Sequence, residues 1–315
     1  MNEKQHFDMV IIGGGPAGVT AALYAVRAGL SAVILENQTL GGEIVATDRL
    51  DNYTAFPEGI SGAEFGMLLQ QQMDNLKVPV HNAAVESVDL DKEIKKVQST
   101  AGTFEGKTVL ICSGTEPNLL GVEGELELRG RGVSYCATCD AAFFRNKEVA
   151  VVGGGNAALE ETLFLDRFTS KIYLIHRRDQ FRGVKELQDR VLSLPGVEVL
   201  WNTTVKKIEG DKKVSGAVIN KDGKEEKLTV DGIFIYAGRK PNTAYLEGVG
   251  LNVDDRGFII TSEKMETSIP GVFAAGDIRQ KFLRQVITAA SDGAIAATAA
   301  SQYISAKGDS AFHVY

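Results

Sequence analysis

Met9-Val10-Ile11-Ile12-Gly13-Gly14-Gly15-Pro16-Ala17-Gly18 is the stretch that decides the fold. The apolar run Phe7 to Ile12 has the length and composition of a buried parallel strand, and it stops at three consecutive glycines. Pro16 to Ala28 then has helical spacing, with proline at its first position and Gly29 after its end. Ser31 to Leu35 is the next apolar strand, and Glu36 closes the unit. Strand, glycine turn, helix and strand make a βαβ unit that opens a doubly wound parallel sheet. The same order returns at Glu148 to Val152, Gly153-Gly154-Gly155-Asn156-Ala157-Ala158, Ala157 to Phe168 and Lys171 to Ile175, closing this time on His176-Arg177-Arg178. Glu36 stands 23 residues after Gly13, and His176 stands 23 residues after Gly153. The two units therefore share one spacing but carry opposite charge at their ends. A further pair repeats as well: Val109-Leu110-Ile111-Cys112-Ser113-Gly114-Thr115-Glu116-Pro117-Asn118 matches Ile233-Phe234-Ile235-Tyr236-Ala237-Gly238-Arg239-Lys240-Pro241-Asn242.

Two copies of one fold account for this most simply. The chain reads as an α/β protein with two Rossmann-like nucleotide-binding domains, the second inserted in the first: 119–244 lies within 1–118 and 245–315. Crossings near 115–118 and 240–245 contain Pro and Asn and suit hinges. Residues 41–62 read as a long loop, Glu64 to Leu76 as a helix, and Val85 to Glu105 as a β-meander followed by a separate strand, Thr108 to Ile111. Val197 to Lys227 alternates around Asp222-Gly223, a hairpin signal. A length of 315 residues suits two domains of ordinary size. The net charge of −7 argues against nucleic acid or an anionic membrane as partner. No apolar stretch approaches the ~20 residues of a membrane span. Met1-Asn2-Glu3-Lys4-Gln5-His6 lacks the apolar core of a signal peptide, and three cysteines do not make a secreted disulfide framework, so a cytoplasmic location is expected.

The glycines have distinct tasks in dinucleotide binding. Gly13 allows the tight turn, Gly15 lets the backbone approach a pyrophosphate, and Gly18 permits close packing of the helix opened by Pro16 and Ala17. The helix N-terminus then faces the anion. Glu36 accepts hydrogen bonds from an unphosphorylated ribose and repels a 2′-phosphate. At the second turn, Gly153, Gly155, Asn156 and Ala157 repeat the arrangement, but His176, Arg177, Arg178 and Arg182 place positive charge at the ribose. Arginine forks suit a phosphate dianion, which favours NADPH over NADH; the plainer alternative is a solvated basic edge.

Cys136-Ala137-Thr138-Cys139 could be half of a zinc site, but only Cys112 and four histidines remain as further ligands and none forms a matching pair, so no metal is expected. A redox dithiol is the better reading. A helix started by Cys139 and running through Asp140 to Phe144 would favour its thiolate. Asp140 is then either an acid/base beside the thiols or an ordinary helix cap. Cys112, at a strand end, reads as structural. Asp277, after Gly271-Val272-Phe273-Ala274-Ala275-Gly276, either accepts a ribityl hydroxyl or makes a turn.

Taken jointly, Gly13 to Gly18, Gly41-Gly42, Cys136 to Asp140, His176-Arg177-Arg178 with Arg182, Gly276-Asp277 and Arg284-Gln285 resemble the low-molecular-weight bacterial thioredoxin reductases, flavoproteins of the disulfide-reductase type, over nearly the whole chain. The resemblance implies that the first domain and the tail bind FAD and that the inserted domain binds NADPH and carries the dithiol. It implies that Glu36 holds the adenosine ribose, Asn52 lies near the flavin, Asp277 binds the ribitol, and Arg284, Gln285 and Val286 touch the flavin end, with Gly41, Gly42, Gly114 and Gly276 in the same cofactor set. It implies Cys139 as the flavin-proximal sulfur, Cys136 as the thiol that attacks a small thioredoxin-like protein, Asp140 as the proton carrier, rotation of the inserted domain during turnover, and a homodimer.

One departure stands out. The family pattern has Asp-Ser-Ala after the third glycine of the second turn, where this chain has Asn156-Ala157-Ala158. Ala157 removes a hydroxyl that could serve the NADPH pyrophosphate, a change of about 1 kcal/mol. The competing readings are a ferredoxin-linked flavin thioredoxin reductase, a small-dithiol oxidase on the same fold, and a flavin-binding redox sensor that uses the dithiol as a switch.

Overall fold

The computed structural model describes residues 5–47, 50 and 52–308. They divide into two compact units: 5–47, 53–116 and 240–308 form the first, and 117–239, with Leu50 and Asn52, form the second.

The first unit opens with strand β1 (Gln5–Ile12), helix α1 (Pro16–Arg27) and strand β2 (Ala32–Glu36). A 3₁₀ turn, Gly42–Ala46, interrupts the expected loop. Helix α2 (Gly62–Leu76) follows, capped by Ser61, whose hydroxyl accepts the Glu64 N–H at 3.1 Å. Then come β3 (Val80–Asn82), β4 (Val85–Asp89), β5 (Lys95–Ser99) and β6 (Gly102–Ile111). The sheet order is β3-β2-β1-β6-β5-β4. The sequence reading split β6 in two; it is one strand because its two edges are paired differently, antiparallel to β5 and parallel to β1. Side chains alternate across the sheet. Met9, Ile11, Ile34 and Leu110 enter one core, and Val10, Ile12, Val33, Val109 and Ile111 enter the other.

After β7 (Thr115–Pro117), the second unit contains β8 (Val133–Ser134), α3 (Ala137–Asp140), β9 (Glu148–Val152), α4 (Asn156–Leu165), β10 (Lys171–Ile175), α5 (Lys185–Leu192) and β11 (Val197–Leu200). It continues with β12 (Thr203–Gly210), β13 (Val214–Lys221), β14 (Lys224–Leu228) and β15 (Gly232–Ile235). Its main sheet is parallel in the order β11-β10-β9-β15-β8, and β12-β13-β14 form an antiparallel layer. The expected hairpin turns at Asp222 (φ 48°) and Gly223 (φ 86°), the two left-handed residues that a type I′ turn requires.

The crossings pair as a two-stranded ribbon of β7 and β16 (Arg239–Pro241). The chain then returns to the first unit with β17 (Val272–Ala274), which pairs with β6, and α6 (Val286–Ala306). Helix α6 packs directly on α1. A side chain at Gly293 would overlap the Ala17 carbonyl oxygen, so only glycine permits that approach. Among the described residues no helix is long and apolar enough to cross a membrane.

Candidate active site

In the first unit the chain bends sharply between β1 and α1. Gly13 takes φ 109°, and a side chain there would overlap the Cys112 carbonyl oxygen at the end of β6. Gly15 is different: it caps α1 with an ordinary φ of −71°, and a Cβ built there meets nothing within 4 Å. Gly114 is equally open, and Gly42 lies opposite Gly15, its Cβ position 3.5 Å from the Gly15 Cα. Gly41 donates its N–H to the Gly14 carbonyl at 2.8 Å, which ties that second loop to the first. Pro16 and Ala17 begin α1 behind this open space. Glu36, at the end of β2, accepts the N–H of Gly14 at 2.7 Å through Oε2 and that of Gln38 at 2.9 Å through Oε1. Its carboxylate is thereby fixed over the glycine loop.

The tail supplies the rest of this constellation. The Gly276 N–H donates to Asp292 Oδ2 at 3.0 Å, and Lys281 donates to the same oxygen at 2.7 Å. Arg284 donates to the carbonyls of Asp277 at 3.2 Å and Arg279 at 3.2 Å and lies 4.1 Å over the Phe258 ring. It therefore braces the Asp277 loop. Gln285 caps α6 in a reciprocal box with Thr288, and Val286 is buried at the first helical position. Asn52 is exposed and groups with the second unit. Cys112 is buried and donates to the Gly13 carbonyl at 3.2 Å; burial pushes its thiol far above the ordinary range, in keeping with a structural role.

In the second unit a Cβ built at Gly153 would lie 2.6 Å from the Ala158 Cβ and 3.0 Å from the Tyr236 carbonyl oxygen, much as one at Gly13 would overlap the Cys112 carbonyl, and Gly155 is as open as Gly15. Asn156 Oδ1 accepts the Val184 N–H at 2.8 Å, and Arg182 donates its backbone N–H to the Gly154 carbonyl at 2.7 Å. The segment carrying Arg182 is thus tied to the glycine turn. Ala157 is exposed in the first turn of α4. Arg177, Arg178 and Arg182 are exposed, but His176 is not. His176 is 5% exposed, donates Nε2–H to the Gln180 carbonyl at 3.0 Å, and packs on Phe181 and Trp201. Burial, with Arg182 and Arg178 adding to it, lowers its pKa below the ordinary 6.5. His176 is thus buried beneath Gly154 with its pKa lowered, and the exposed side chains of this edge are those of the three arginines.

Cys136 and Cys139 form a disulfide with their Cα atoms 5.4 Å apart. The helix begins one turn earlier than expected: Cys136 is its cap, and its Sγ accepts the Cys139 N–H at 3.2 Å. The turn needs acceptors for its first N–H groups. Tyr236, a position the sequence reading passed over, accepts the Ala137 N–H through its hydroxyl at 2.8 Å. The signal for it was its place in the repeat, level with Cys112. Asp140 does not cap the following 3₁₀ turn, Ala141–Phe144; its carboxylate accepts the Ser134 hydroxyl at 2.6 Å, and Ser134 in turn accepts the Cys136 N–H at 3.1 Å. The carboxylate is therefore linked through one hydroxyl to the backbone of Cys136. Among the described residues no cluster could hold a metal ion.

The sequence profile of the pyridine nucleotide-disulphide oxidoreductases matches residues 7–293. The chain is 43% identical over 306 residues to a thioredoxin reductase of Listeria monocytogenes, covering 96% of this chain and 95% of that protein. It is 42% identical over 307 residues to that of Bacillus subtilis, covering 96% of each. The crystal structure of thioredoxin reductase from Streptococcus pyogenes MGAS5005 superposes with a TM-score of 0.91 at 41% identity, covering 96% of this chain and 100% of that one. With matches that run from β1 into α6, the chain belongs to the pyridine nucleotide-disulphide oxidoreductases and, within them, to the low-molecular-weight bacterial thioredoxin reductases.

Proposed function

We propose that this chain passes electrons from NADPH, through FAD and the Cys136–Cys139 dithiol, to the disulfide of a thioredoxin. The enzyme is a thioredoxin-disulfide reductase. The observation that carries the reading is the seating of the Cys136–Cys139 disulfide on the first turn of α3, in the unit whose ribose edge is basic.

The first unit fits FAD. Gly15, Gly42 and Gly114 line space that a Cβ would enter, the α1 N–H groups face it, and Glu36 is held over the loop by the Gly14 N–H. Gly13, Pro16, Ala17, Gly41, Gly276, Asp277, Arg284, Gln285 and Val286 complete this cradle, with Arg284 bracing the Asp277 loop. The second unit, through Gly153, Gly155, Asn156, Ala157 and the edge Arg177, Arg178 and Arg182, fits NADPH. FAD supplies a two-electron relay between a hydride donor and a disulfide.

The reduced pair then acts by thiol–disulfide exchange. The Cys136 thiolate attacks one sulfur of the thioredoxin disulfide, expelling the other as a thiolate. Cys139 attacks the mixed disulfide, restoring the Cys136–Cys139 bond and releasing reduced thioredoxin. Two protons accompany the two electrons out, and Asp140, whose carboxylate is hydrogen-bonded to Ser134 beside the backbone of Cys136, is the residue assigned to carry them. The enzyme works as a homodimer in the cytoplasm.

Ala157 favours one second reading, reduction by ferredoxin, because it offers no hydroxyl to a nucleotide pyrophosphate. Anaerobic mixing of the yellow protein with one equivalent of NADPH separates the two. Rapid bleaching of the flavin band, followed by thioredoxin reduction, is expected. Bleaching by dithionite or reduced ferredoxin alone would sink the NADPH assignment.

A further inference from the structure

Ser134 ends β8, where its backbone pairs with Phe234 of β15, and it is 6% exposed. Its hydroxyl oxygen reaches three groups on the dithiol turn. It lies 2.6 Å from Asp140 Oδ2, 3.1 Å from the Cys136 nitrogen and 3.3 Å from the Cys136 carbonyl oxygen. A serine hydroxyl has one hydrogen to donate and two lone pairs that accept. Its acceptance of the Cys136 N–H is an ordinary side-chain turn. The hydrogen is the unusual part, because it faces two acceptors, a carboxylate and a carbonyl. The short contact to Asp140 takes it when that carboxyl is ionised.

With Asp140 protonated, the same contacts refill in another order. The Asp140 O–H donates to the Ser134 oxygen, the Ser134 hydrogen turns to the Cys136 carbonyl, and the Cys136 N–H keeps its acceptor. One donor and two acceptor sites of the serine are then all used, and the exchange needs no backbone movement.

We propose that Ser134 is the positioning residue for Asp140: its hydroxyl holds the carboxyl beside the Cys136 backbone in both protonation states, so that a proton is given up and recovered in place. The assignment rests on Asp140 being the proton carrier of the exchange. In that step the Asp140 carboxylic acid and a leaving thiolate become a carboxylate and a thiol, and solvent returns the proton to Asp140. Tyr236, whose hydroxyl accepts the Ala137 N–H from the end of β15, and Glu161 of α4, which interacts with Tyr236, also face this turn. Both stay in place in every variant below, as do the two thiols, so a pH limb that disappears with the Asp140 carboxyl belongs to Asp140.

The test is the pH dependence of kcat and KM for thioredoxin in the FAD-loaded enzyme, compared among wild type, Ser134→Ala, Ser134→Thr, Asp140→Asn and the S134A/D140N double variant. Loss of a hydrogen bond to the charged form disfavours that form, so in S134A the limb that D140N abolishes should move upward by about one pH unit. The kcat plateau should fall about tenfold, part of the ~100-fold or more that a positioned acid supplies, with KM unchanged. S134T keeps the hydroxyl and should restore both. In the D140N background S134A should cost nothing more, because a residue that acts through another adds no loss once that one is gone. An unmoved limb in S134A, or its full loss repeated in the double variant, would overturn the assignment. A limb that survives in D140N removes Asp140 as the carrier and this role of Ser134 with it, while turnover with thioredoxin still stands. Should S134A fail to fold, amide hydrogen exchange at Cys136 in the wild-type enzyme decides. Its protection should be equal on both sides of the limb, since Ser134 accepts that N–H in both states, and a loss of protection on either side refutes the proposal.

Discussion

Gly15 and Gly18 stand three residues apart and should fail in opposite ways when a methyl group is added. Gly15 has an ordinary φ of −71° and nothing within 4 Å of a built Cβ. In Gly15→Ala, the restricted unfolded chain favours the variant by about 0.4–1 kcal/mol, and alanine is the poorer helix cap by about 0.5 kcal/mol. The apoprotein should therefore keep its stability to within about 0.5 kcal/mol, a midpoint change of about 2 °C or less. The added methyl does, however, enter the space where the backbone would meet a pyrophosphate. Losing one charge-assisted hydrogen bond there is worth about 1.5–3 kcal/mol, or about ten- to a hundredfold in Kd for FAD. Gly18→Ala makes the reverse case. Its Cβ would overlap the Gly13 carbonyl oxygen and lie 3.0 Å from Cys112 Sγ, so the helix must move, at about 1–3 kcal/mol. Thermal melts of the two apoproteins and FAD titration by flavin-fluorescence quenching read both effects. A Gly15→Ala protein that purifies with full flavin and an unchanged Kd would refute the placement of the pyrophosphate.

The arginine edge predicts selectivity. Arg178→Ala with Arg182→Ala should lower kcat/KM for NADPH by about tenfold or more and leave NADH nearly unchanged, measured side by side in steady state; equal losses would remove the 2′-phosphate from the account. In the exchange reaction, Cys139→Ser should trap thioredoxin as a mixed disulfide on non-reducing gels and Cys136→Ser should not; the opposite pattern would exchange the two roles. His176 predicts a pH effect. Its folded pKa lies below the unfolded 6.5, so the folded state resists a proton that the unfolded chain accepts. Stability is therefore complete above that value and falls as pH drops below it. Urea midpoints on either side should show a smaller fall for His176→Gln than for wild type, and an equal fall would mean that His176 is not the group.

What could be read in the sequence was what repeats locally. Period and punctuation marked both βαβ units, the Asp222-Gly223 hairpin and the charge reversal between Glu36 and Arg177-Arg178. Contacts between distant segments could not be read that way. His176 reads as part of an exposed basic edge because it precedes two arginines, yet its ring is buried against Phe181 and Trp201, and burial lowers its pKa. Arg284 reads as a ligand contact by resemblance, and its hydrogen bonds show it also bracing the Asp277 loop from within the chain. Helix α6 has alanine, serine, threonine and glycine where a surface helix has a clear apolar stripe; its packing depends on the Gly293–Ala17 approach, which no period encodes. Asp140 was left between two roles because the Ser134 hydroxyl that engages it lies outside the helix.

The two units show why one geometry can serve two chemistries. The glycines do identical steric work in both: Gly13 clears the carbonyl at the end of β6, Gly153 clears the one at the end of β15, and Gly15 and Gly155 leave the helix N-terminus open. These positions are set by backbone packing and leave little freedom to vary. The residues at the strand ends are free to differ, because their side chains leave the sheet. At the end of β2 that freedom holds a carboxylate bound to two N–H groups, and after β10 it holds exposed guanidinium groups. At the ends of β6 and β15 it separates a buried thiol that merely satisfies the Gly13 carbonyl from a tyrosine that reaches the Ala137 N–H and supports the redox turn. On the proposed reading, the duplicated framework fixes where a nucleotide can lie, and a few strand-end side chains decide what charge it meets and whether a dithiol stands beside it.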